Sequence, residues 1–438
     1  MFFLSDQKLL LYRKIMPYAL SAGRKNQIIS EIGRLKTYQS LFFVANYLDD
    51  PETSAEAASA AMKIALPSSD SRTGMYGILV REILEKSAPK LSGPESEYNR
   101  EMVNKYLAGM NAGEGFRPMF NGRDLSGWQG LVENPVARAR MRRVDLERKQ
   151  AEANVLVPAN WSVKDGCIVF NGKGNNLCSV TEYGDFELLV DWKITKDGDS
   201  GIYLRGTPQV QIWDTSRTDV GAQVGSGGLY NNQVNPSKPL KVADNPVGDW
   251  NTFRIMMTGE KVSVWLNGEL VVDNVTMENY WDRKIPIFPK GPVELQAHGT
   301  DLAFRDIYIR EISDREYNLT PEEKTEGFVA LFNGRNLDNW VGNKQSYVVE
   351  DGMIVIRPEN TSGGNLYTEK EYSDFTFRFE FLLTPAANNG LGIRTPLEGD
   401  AAYVGMELQI LDNTADVYAK LQPYQYHGSV YGVIPAKR

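Results

Sequence analysis

The chain has 438 residues, of which 42% are hydrophobic and 24% are charged, and its formal net charge at pH 7 is −8. Such a chain is globular and long enough for about two to four domains. The acidic balance excludes nucleic acid as the main partner, because binding to a phosphate backbone requires a basic surface.

The first 20 residues lack a long apolar core followed by a cleavage site, so no signal peptide is predicted. No run of about 20 apolar residues occurs, and no transmembrane segment is expected. Two cysteines cannot form a disulfide framework. Cys167 and Cys178 flank an apparent hairpin, and the sequence leaves open whether they are free core thiols or a bridge across two strands.

Residues 1–110 are predicted to be helical. Apolar residues recur near the 3.6-residue period between Leu9 and Leu35, and the Ala-rich stretch 54–61 favours a closely packed helix. Paired helices of about 15 residues resemble the end of a HEAT-type array, which needs several repeats to bury a continuous core. The segment is therefore interpreted as the tail of such an array.

After Gly109 the pattern changes to short strands separated by Gly-rich turns, which is typical of an all-β region. The clearest example is the stretch 262–272, in which Asn267-Gly268 separates two apolar strands. A two-residue Asn-Gly turn is the strongest local signal for a β-hairpin.

One β-rich pattern occurs twice. The motif Phe-Asn-Gly-Arg-x-Leu-x-x-Trp at 120–128 returns at 332–340, and later stretches align in the same order. The repeat predicts a first module at 116–312 and a second at 327–438. The first has an insertion near 130–158, predicted as one helix with an Arg-rich, solvated face. The second lacks a counterpart of 231–312, so it is expected to be incomplete at its C-terminal end and the sequence to be a fragment.

The repeated motif, together with Ser200–Arg205, Gln211–Asp214 and Leu295–Gly299, resembles the 3-keto-disaccharide hydrolase domain. The resemblance implies a mainly β protein: tandem concanavalin A-like jelly-roll β-sandwiches preceded by an α-helical segment. It also implies cleavage of glycosides whose sugar is oxidised at C3, and a periplasmic or cell-surface location. Because some related domains only bind carbohydrate, a non-catalytic carbohydrate-binding or scaffolding protein is the alternative function.

A ketone at C3 acidifies the C2–H bond, so a base can remove that proton and the aglycone can leave by elimination, with water added afterwards. This route needs a base, an acid for the leaving oxygen and a donor to the enolate oxygen. Direct hydrolysis would need two carboxylates. The sequence leaves both routes open.

The resemblance implies site residues in both copies. The predicted catalytic residues are Glu407, Asp412 and His427. The predicted substrate-binding residues are Arg394, Gln409, Tyr431, Arg205, Gln211, Asp214, Tyr230 and His298. Glu407 and Gln409 share a strand face because they are two residues apart. The first copy has Gln209 where the second has Glu407, and an amide is no base, so the second copy is expected to be the enzyme.

Each assignment has a structural alternative: the arginines can pair with sheet carboxylates, the aspartates can cap turns, and a single histidine is often structural. No metal is required, although the Asp, Glu and Gln oxygens are compatible with Ca²⁺. There is no dinucleotide fingerprint, so oxidation at C3 would be the work of a separate sugar 3-dehydrogenase partner.

Overall fold

The computed structural model describes residues 4–67, 74–110, 115–312, 319, 323, 325–334, 336–337, 339–350, 353–357 and 364–437. Its contacts divide the chain into two compact units, Met1–Ser313 and Asp314–Arg438. The helical segment and the first copy of the β pattern therefore lie in the same unit. None of the helices in these described ranges is long and apolar enough to cross a membrane.

The N-terminal part of the first unit is helical. The helices are α1 (Ser5–Ile15), α2 (Ala22–Ile32), α3 (Tyr38–Ala45), α4 (Ser54–Ala65), α5 (Ile78–Ser87) and α6 (Ser96–Ala108). Ser21 caps α2 by accepting the backbone N–H of Arg24, and Thr37 and Ser40 form a capping box on α3. The longest of the six has 13 residues, shorter than predicted, and the HEAT-type pairing remains a prediction.

Two antiparallel sheets follow and share one apolar core. Their strands are β1 (Arg117–Pro118), β2 (Trp128–Gly130), β3 (Trp161–Lys164), β4 (Cys167–Asn171), β5 (Leu177–Ser179), β6 (Phe186–Ile194), β7 (Asp199–Leu204), β8 (Thr207–Trp213), β9 (Asn251–Thr258), β10 (Lys261–Leu266), β11 (Glu269–Thr276), β12 (Glu294–Leu295) and β13 (Asp301–Glu311). The eight-stranded sheet has the order β11-β10-β9-β6-β13-β4-β3, with β1 on β13, and the five-stranded sheet has the order β2-β5-β12-β7-β8.

The predicted Asn-Gly hairpin is confirmed as β10–β11. Asn267 and Gly268 have φ angles of 54° and 87°, which suit the two-residue turn that a hairpin requires. Of the two alternatives that the sequence leaves open for Cys167 and Cys178, the structure has free thiols rather than a bridge across two strands. Cys167 lies on β4 and Cys178 on β5, which belong to different sheets, and both thiols are free.

The insertion forms two helices, α7 (Pro135–Ala139) and α8 (Arg143–Asn160), rather than the single helix predicted. Arg142 separates them because its backbone is extended, with ψ at 145°. Helix α8 covers the edge strand β2. Gln150 donates to the carbonyl of Gly130 at 2.8 Å and Asn154 accepts the N–H of Gly130 at 3.1 Å, so the free edge of β2 is occupied.

The helices pack against the outer face of the eight-stranded sheet. Phe42 of α3 contacts Phe116 and Tyr308, and Leu189 of β6 belongs to the same apolar cluster. Arg13 of α1 forms an ion pair with Asp191 at 2.9 Å. The helices therefore cover part of the outer face of this sheet.

The second unit repeats part of this arrangement. Its elements are β14 (Trp340–Gly342), β15 (Tyr347–Glu350), β16 (Met353–Ile356), β17 (Leu366–Thr368), β18 (Asn388–Ile393), α9 (Ala401–Val404) and β19 (Met406–Leu411). They pair as β14–β17, β15–β16 and β18–β19, the same pairings as β2–β5, β3–β4 and β7–β8. The repeated Arg335, Asp351 and Gly352 lie outside the described residues.

A complete second sandwich is not formed by the described residues. The stretch 375–382 aligns with β6, yet it is not a strand, and Phe375 and Phe379 are 47% and 44% exposed. In the first unit, β6 pairs with β9 and β13, whereas no described strand of the second unit pairs with 375–382. Without ladder hydrogen bonds and a facing sheet, its apolar side chains remain on the surface.

We expect Phe42→Ala to lower the free energy of unfolding of the first unit by about 3 kcal/mol, because it removes a buried ring between the helices and the sheet. Urea unfolding followed by circular dichroism measures the effect. Leu20→Ala, at a side chain that is 90% exposed, is the control and should change it by less than about 0.5 kcal/mol. Equal effects of the two variants would contradict this packing.

Candidate functional site

A row of polar residues crosses the outer face of the five-stranded sheet in the first unit. Gln129, Cys178, Glu294, Tyr203 and Gln209 are successive cross-strand partners on β2, β5, β12, β7 and β8. Directly paired residues point to the same face of a sheet. The residues that alternate with them, Leu177, Leu295, Ile202 and Val210, belong to the core, so this row lies on the opposite face.

Glu294 is the central residue of this row, and it is only 2% exposed. Burial raises the pKa of its carboxyl to about 7, although Arg138 and a hydrogen bond with Asn176 act in the other direction. The guanidinium of Arg138, from α7, lies 3.8 Å from Oε1 of Glu294. A carboxyl with a pKa near 7 exchanges protons readily at neutral pH, which suits general acid or base catalysis.

Tyr203 and Gln209 complete the centre of the row. Burial, together with the nearby charge of Glu294, raises the pKa of Tyr203 to about 12, so the phenol keeps its proton at neutral pH. Gln209 donates to Gln211 at 2.9 Å. In the described part of the chain, Oε1 of Glu294 and Oε1 of Gln209 are buried without a hydrogen-bond partner. Unsatisfied buried acceptors are rare in proteins and indicate a place where a ligand donor fits.

The row continues towards a more exposed rim. Gln211 donates to Asp199 at 2.8 Å, and Asp199 lies 3.6 Å from Nδ1 of His298 and 3.6 Å from Arg217. The His298 side chain is 58% exposed. Of the predicted substrate-binding residues, the structure thus brings Gln211 and His298 together, with Asp199 between them.

Arg205 and Arg394 occupy equivalent places in the two units, but outside this row. Arg205 is 3% exposed, pairs with Asp185 at 2.5 Å and donates to the carbonyls of Gly184 and Gly259. Arg394 is 58% exposed and donates to the carbonyl of Ser373 and to Asp374. These contacts correspond to the ion-pair alternative, and the substrate-binding roles of Arg205 and Arg394 remain predictions.

Asp214 and Asp412 also occupy equivalent places, and both cap turns. Asp214 accepts the backbone N–H groups of Asp197 and Ser216 at 2.9 Å. Burial raises the pKa of Asp214, but these donors outweigh it and the net pKa is lowered. Asp412 accepts from Ala386 and Thr414, and the Thr414 hydroxyl is the main cause of its lowered pKa. Both aspartates therefore have the contacts of the turn-capping alternative, and the catalytic role of Asp412 and the binding role of Asp214 remain predictions.

His427 has a structural contact that accounts for it. Its Nδ1 accepts the backbone N–H of Leu411 at 3.2 Å. In the first unit, Ser226 Oγ accepts the N–H of Trp213 at 3.2 Å from the same position of the repeat. A serine and a histidine thus anchor equivalent strands. This bond engages Nδ1 of His427, and the catalytic role of His427 remains a prediction.

Among the contacts of the described residues, no hydrogen bond of this kind holds the side chain of Glu407. In the second unit its side chain lies over Gly390, as Gln209 lies over Gly201 in the first, and a Cβ at Gly201 would be 2.5 Å from Cγ of Gln209. Burial, and secondarily Asp400, raises the pKa of Glu407. Gln409 donates to Asn388 at 3.0 Å, the counterpart of the Gln211–Asp199 bond.

The two predicted tyrosines differ in their surroundings. Tyr230 is 51% exposed and packs edge-on against Trp213, with ring centroids 5.5 Å apart. The hydroxyl of Tyr431 accepts from Gln425 at 3.0 Å, and its backbone N–H donates to the carbonyl of Glu407. Tyr431 therefore adjoins Glu407, whereas Tyr230 lies at the surface beside Trp213.

The sequence prediction missed Glu294, although the signal was available. Glu294, Gln296 and His298 alternate with Leu295 and Ala297, which places the three polar residues on one strand face. Their burial could not be read from this pattern. Within the residues described, no three His, Cys, Asp or Glu side chains are grouped in a way that could hold a metal ion.

The comparisons with known proteins give one matching family and several similar proteins. The family model for the 3-keto-alpha-glucoside-1,2-lyase-like domain matches residues 115–310 and 327–438. A 3-keto-disaccharide hydrolase of Bacteroides thetaiotaomicron is 24% identical over 301 residues, covering 53% of this chain and 94% of the relative. Two crystal structures of candidate glycosyl hydrolases from Parabacteroides distasonis are 23% and 25% identical, with TM-scores of 0.33 and 0.35. They cover 45% and 47% of this chain and 94% and 86% of their own chains.

We expect Arg205→Met to destabilise the first unit by about 3 kcal/mol, because it removes the buried cation that pairs with Asp185 and donates to the carbonyls of Gly184 and Gly259. Arg394→Met is the matched control in the second unit, where the exposed pair should contribute less than about 1 kcal/mol. Urea unfolding followed by tryptophan fluorescence and circular dichroism measures both. Similar losses in the two variants would contradict a buried structural role for Arg205.

Glu294 should make the stability of the first unit depend on pH. Its folded-state pKa of about 7 lies above the ordinary value of 4.5. The stabilisation from this carboxyl is therefore fully present below about pH 4.5 and is lost as the pH rises through about 7. Glutamine does not ionise, so Glu294→Gln escapes this loss. The difference in free energy of unfolding between Glu294→Gln and the wild type should therefore increase by about 2–3 kcal/mol from pH 5 to pH 8. Parallel pH profiles of the two proteins would disprove the raised pKa.

Proposed function

Because the chain belongs to the 3-keto-alpha-glucoside-1,2-lyase-like domain family, we propose that it cleaves glycosides whose sugar carries a ketone at C3. The observation that carries the proposal is Glu294, a buried carboxyl with a pKa of about 7 beside a protonated phenol. Perturbed titratable groups of this kind are concentrated at functional sites. The proposed active site is the polar row on the five-stranded sheet of the first unit.

The proposed reaction is an elimination followed by hydration. A base takes the proton from C2, and the electron pair forms the C1–C2 double bond through an enolate whose negative charge is on the C3 oxygen. The C1–O bond then breaks, and the departing oxygen takes a proton. Addition of water across the double bond gives the free 3-keto sugar, so the net change is hydrolysis of the glycoside.

Each step has a matching group in the row. The ionised form of Glu294 is the proposed base, and its protonated form then supplies the proton to the departing oxygen. Tyr203 retains its proton because its pKa is about 12, so it can donate to the enolate oxygen. Gln209 and Gln296 offer amide groups for the sugar hydroxyls. Arg138 lies against Glu294 and has to move aside when a substrate enters.

We propose a separate place for Glu407 in the second unit. Its raised pKa and its position over Gly390 support a role as the carboxylate of a second carbohydrate site, with Gln409 and Tyr431 beside it. This differs from the sequence expectation, which made Glu407 the main base. The change follows from Asp412 and His427, whose acceptor atoms are engaged by backbone N–H groups.

The finer features implied by the family complete the proposal. They are a concanavalin A-like jelly-roll for each β module, a periplasmic or cell-surface location and a separate sugar 3-dehydrogenase that supplies the ketone. The antiparallel two-sheet arrangement of the first unit supports the first of these. The site chemistry supports the last, because the row contains acid–base groups for elimination and no redox cofactor is needed for that step.

The test compares Glu294→Gln with Glu407→Gln on 4-nitrophenyl 3-keto-glucoside and on its unoxidised parent. The wild type should release nitrophenol from the keto substrate only. Glu294→Gln should lower kcat by about 100-fold or more, because removal of a general base typically costs that much. Glu407→Gln should keep most of the activity.

Circular dichroism of each variant controls for folding. Full activity of Glu294→Gln would contradict the assigned base, and loss of activity in Glu407→Gln alone would move the active site to the second unit. Release of nitrophenol from neither substrate by the wild type would contradict the proposed enzyme and leave a carbohydrate-binding protein.

A further inference from the structure

A cavity of about 510 Å³ lies between the insertion and the edge of the five-stranded sheet. Residues of α7 and α8 line one side, and residues of β2 and β5 line the other. Two of the lining residues, Arg138 and Cys178, are the immediate neighbours of Glu294, one through its guanidinium and one as a cross-strand partner. The volume falls within the range of small-molecule sites.

The lining of this cavity includes six apolar residues and Cys178 among its fourteen residues. Its apolar members are Leu131, Val132, Leu146, Ala151, Val180 and Pro292. The polar residues that line it are largely engaged within the protein. Gln150 and Asn154 bind the backbone of Gly130, Glu147 pairs with Arg143, and Arg138 donates to the carbonyls of Val132 and Glu133. Ser179 donates to the carbonyl of Thr181 and accepts the N–H of Val293. A second sugar would need hydrogen-bond partners for its hydroxyls, and these contacts leave Gln129 and Glu182 for them.

We propose that this cavity holds the aglycone of the substrate and selects an apolar, ring-sized group over a second sugar. The inference rests on the proposed function, because it takes Glu294 as the group at the scissile bond. The leaving oxygen would lie near Glu294, and the aglycone would extend past Cys178 towards α8. Burial of a ring among aliphatic side chains favours binding by the hydrophobic effect.

Cys178 is suited to be a wall of this cavity rather than a reactive group. It is 3% exposed, and burial raises the pKa of its thiol to about 12. The thiol therefore stays protonated and behaves as a small apolar side chain. It separates the sugar-facing part of the row from the aliphatic cavity without adding a charge.

The test fills the cavity by Ala151→Trp, an exposed lining position on α8 that does not contact Glu294. The control is Val155→Trp, on the same helix, 78% exposed and outside the cavity lining. The measured quantity is the ratio of kcat/KM for 4-nitrophenyl 3-keto-glucoside to that for methyl 3-keto-glucoside. Ala151→Trp should lower this ratio on the order of tenfold, mainly through KM, because only the aryl substrate needs the cavity.

A binding measurement separates this inference from the proposed reaction. Unoxidised 4-nitrophenyl glucoside should bind to the wild type and to Glu294→Gln in calorimetry, and more weakly, on the order of tenfold, to Ala151→Trp. No binding to the wild type, or equal affinities of Ala151→Trp and Val155→Trp, would overturn the aglycone site. If the wild type cleaves neither keto substrate, the proposed reaction fails while calorimetry still decides the role of the cavity.

Discussion

The first unit depends on strand β6, whose two faces are both buried. Its inner face contributes Phe186 and Trp192 to the core shared by the two sheets. On its outer face, Glu187 pairs with Arg254 and Arg310, and Asp191 pairs with Arg13 of the helical segment. Buried carboxylates are tolerated only when they are paired, so the helices and the neighbouring strands are needed together. The equivalent stretch of the second unit, 375–382, has no described strand beside it, and its aromatic side chains are exposed.

The internal repeat separates residues that maintain the fold from residues that provide chemistry. Asp214 and Asp412 cap equivalent turns, and Ser226 and His427 anchor equivalent strands. Contacts that are repeated in both units belong to the β framework. The position occupied by Gln209 in one unit and Glu407 in the other lies over a repeated glycine, and there the side chain changes while the backbone does not. The two units therefore share a backbone framework at this position but differ in chemistry, because only Glu407 can ionise.

The sequence predicted local features well and non-local ones poorly. The Asn267-Gly268 hairpin and the helical prefix follow from turn chemistry and apolar periodicity, which depend on neighbouring residues. The repeat was visible as a motif. Glu294 is buried by elements far away in the sequence, including Arg138 of the insertion. The alternation of polar and apolar residues therefore indicates the strand face of Glu294 but not its pKa. The bond between His427 and the backbone N–H of Leu411 likewise leaves no local pattern, so the sequence did not predict it.

The insertion connects the stability of the sheet edge with the chemistry of the site. Helix α8 occupies the edge of β2 through Gln150 and Asn154, and α7 places Arg138 beside Glu294. A buried carboxyl without a nearby cation would have a still higher pKa. Arg138 of the insertion lowers the pKa of Glu294 and so keeps it at about 7. The second copy of the pattern lacks this insertion. The main influences on Glu407 are burial and the like charge of Asp400, and both raise its pKa. The two carboxyls are therefore tuned by different means, an internal cation in one unit and a neighbouring anion in the other, and they need not serve the same substrate.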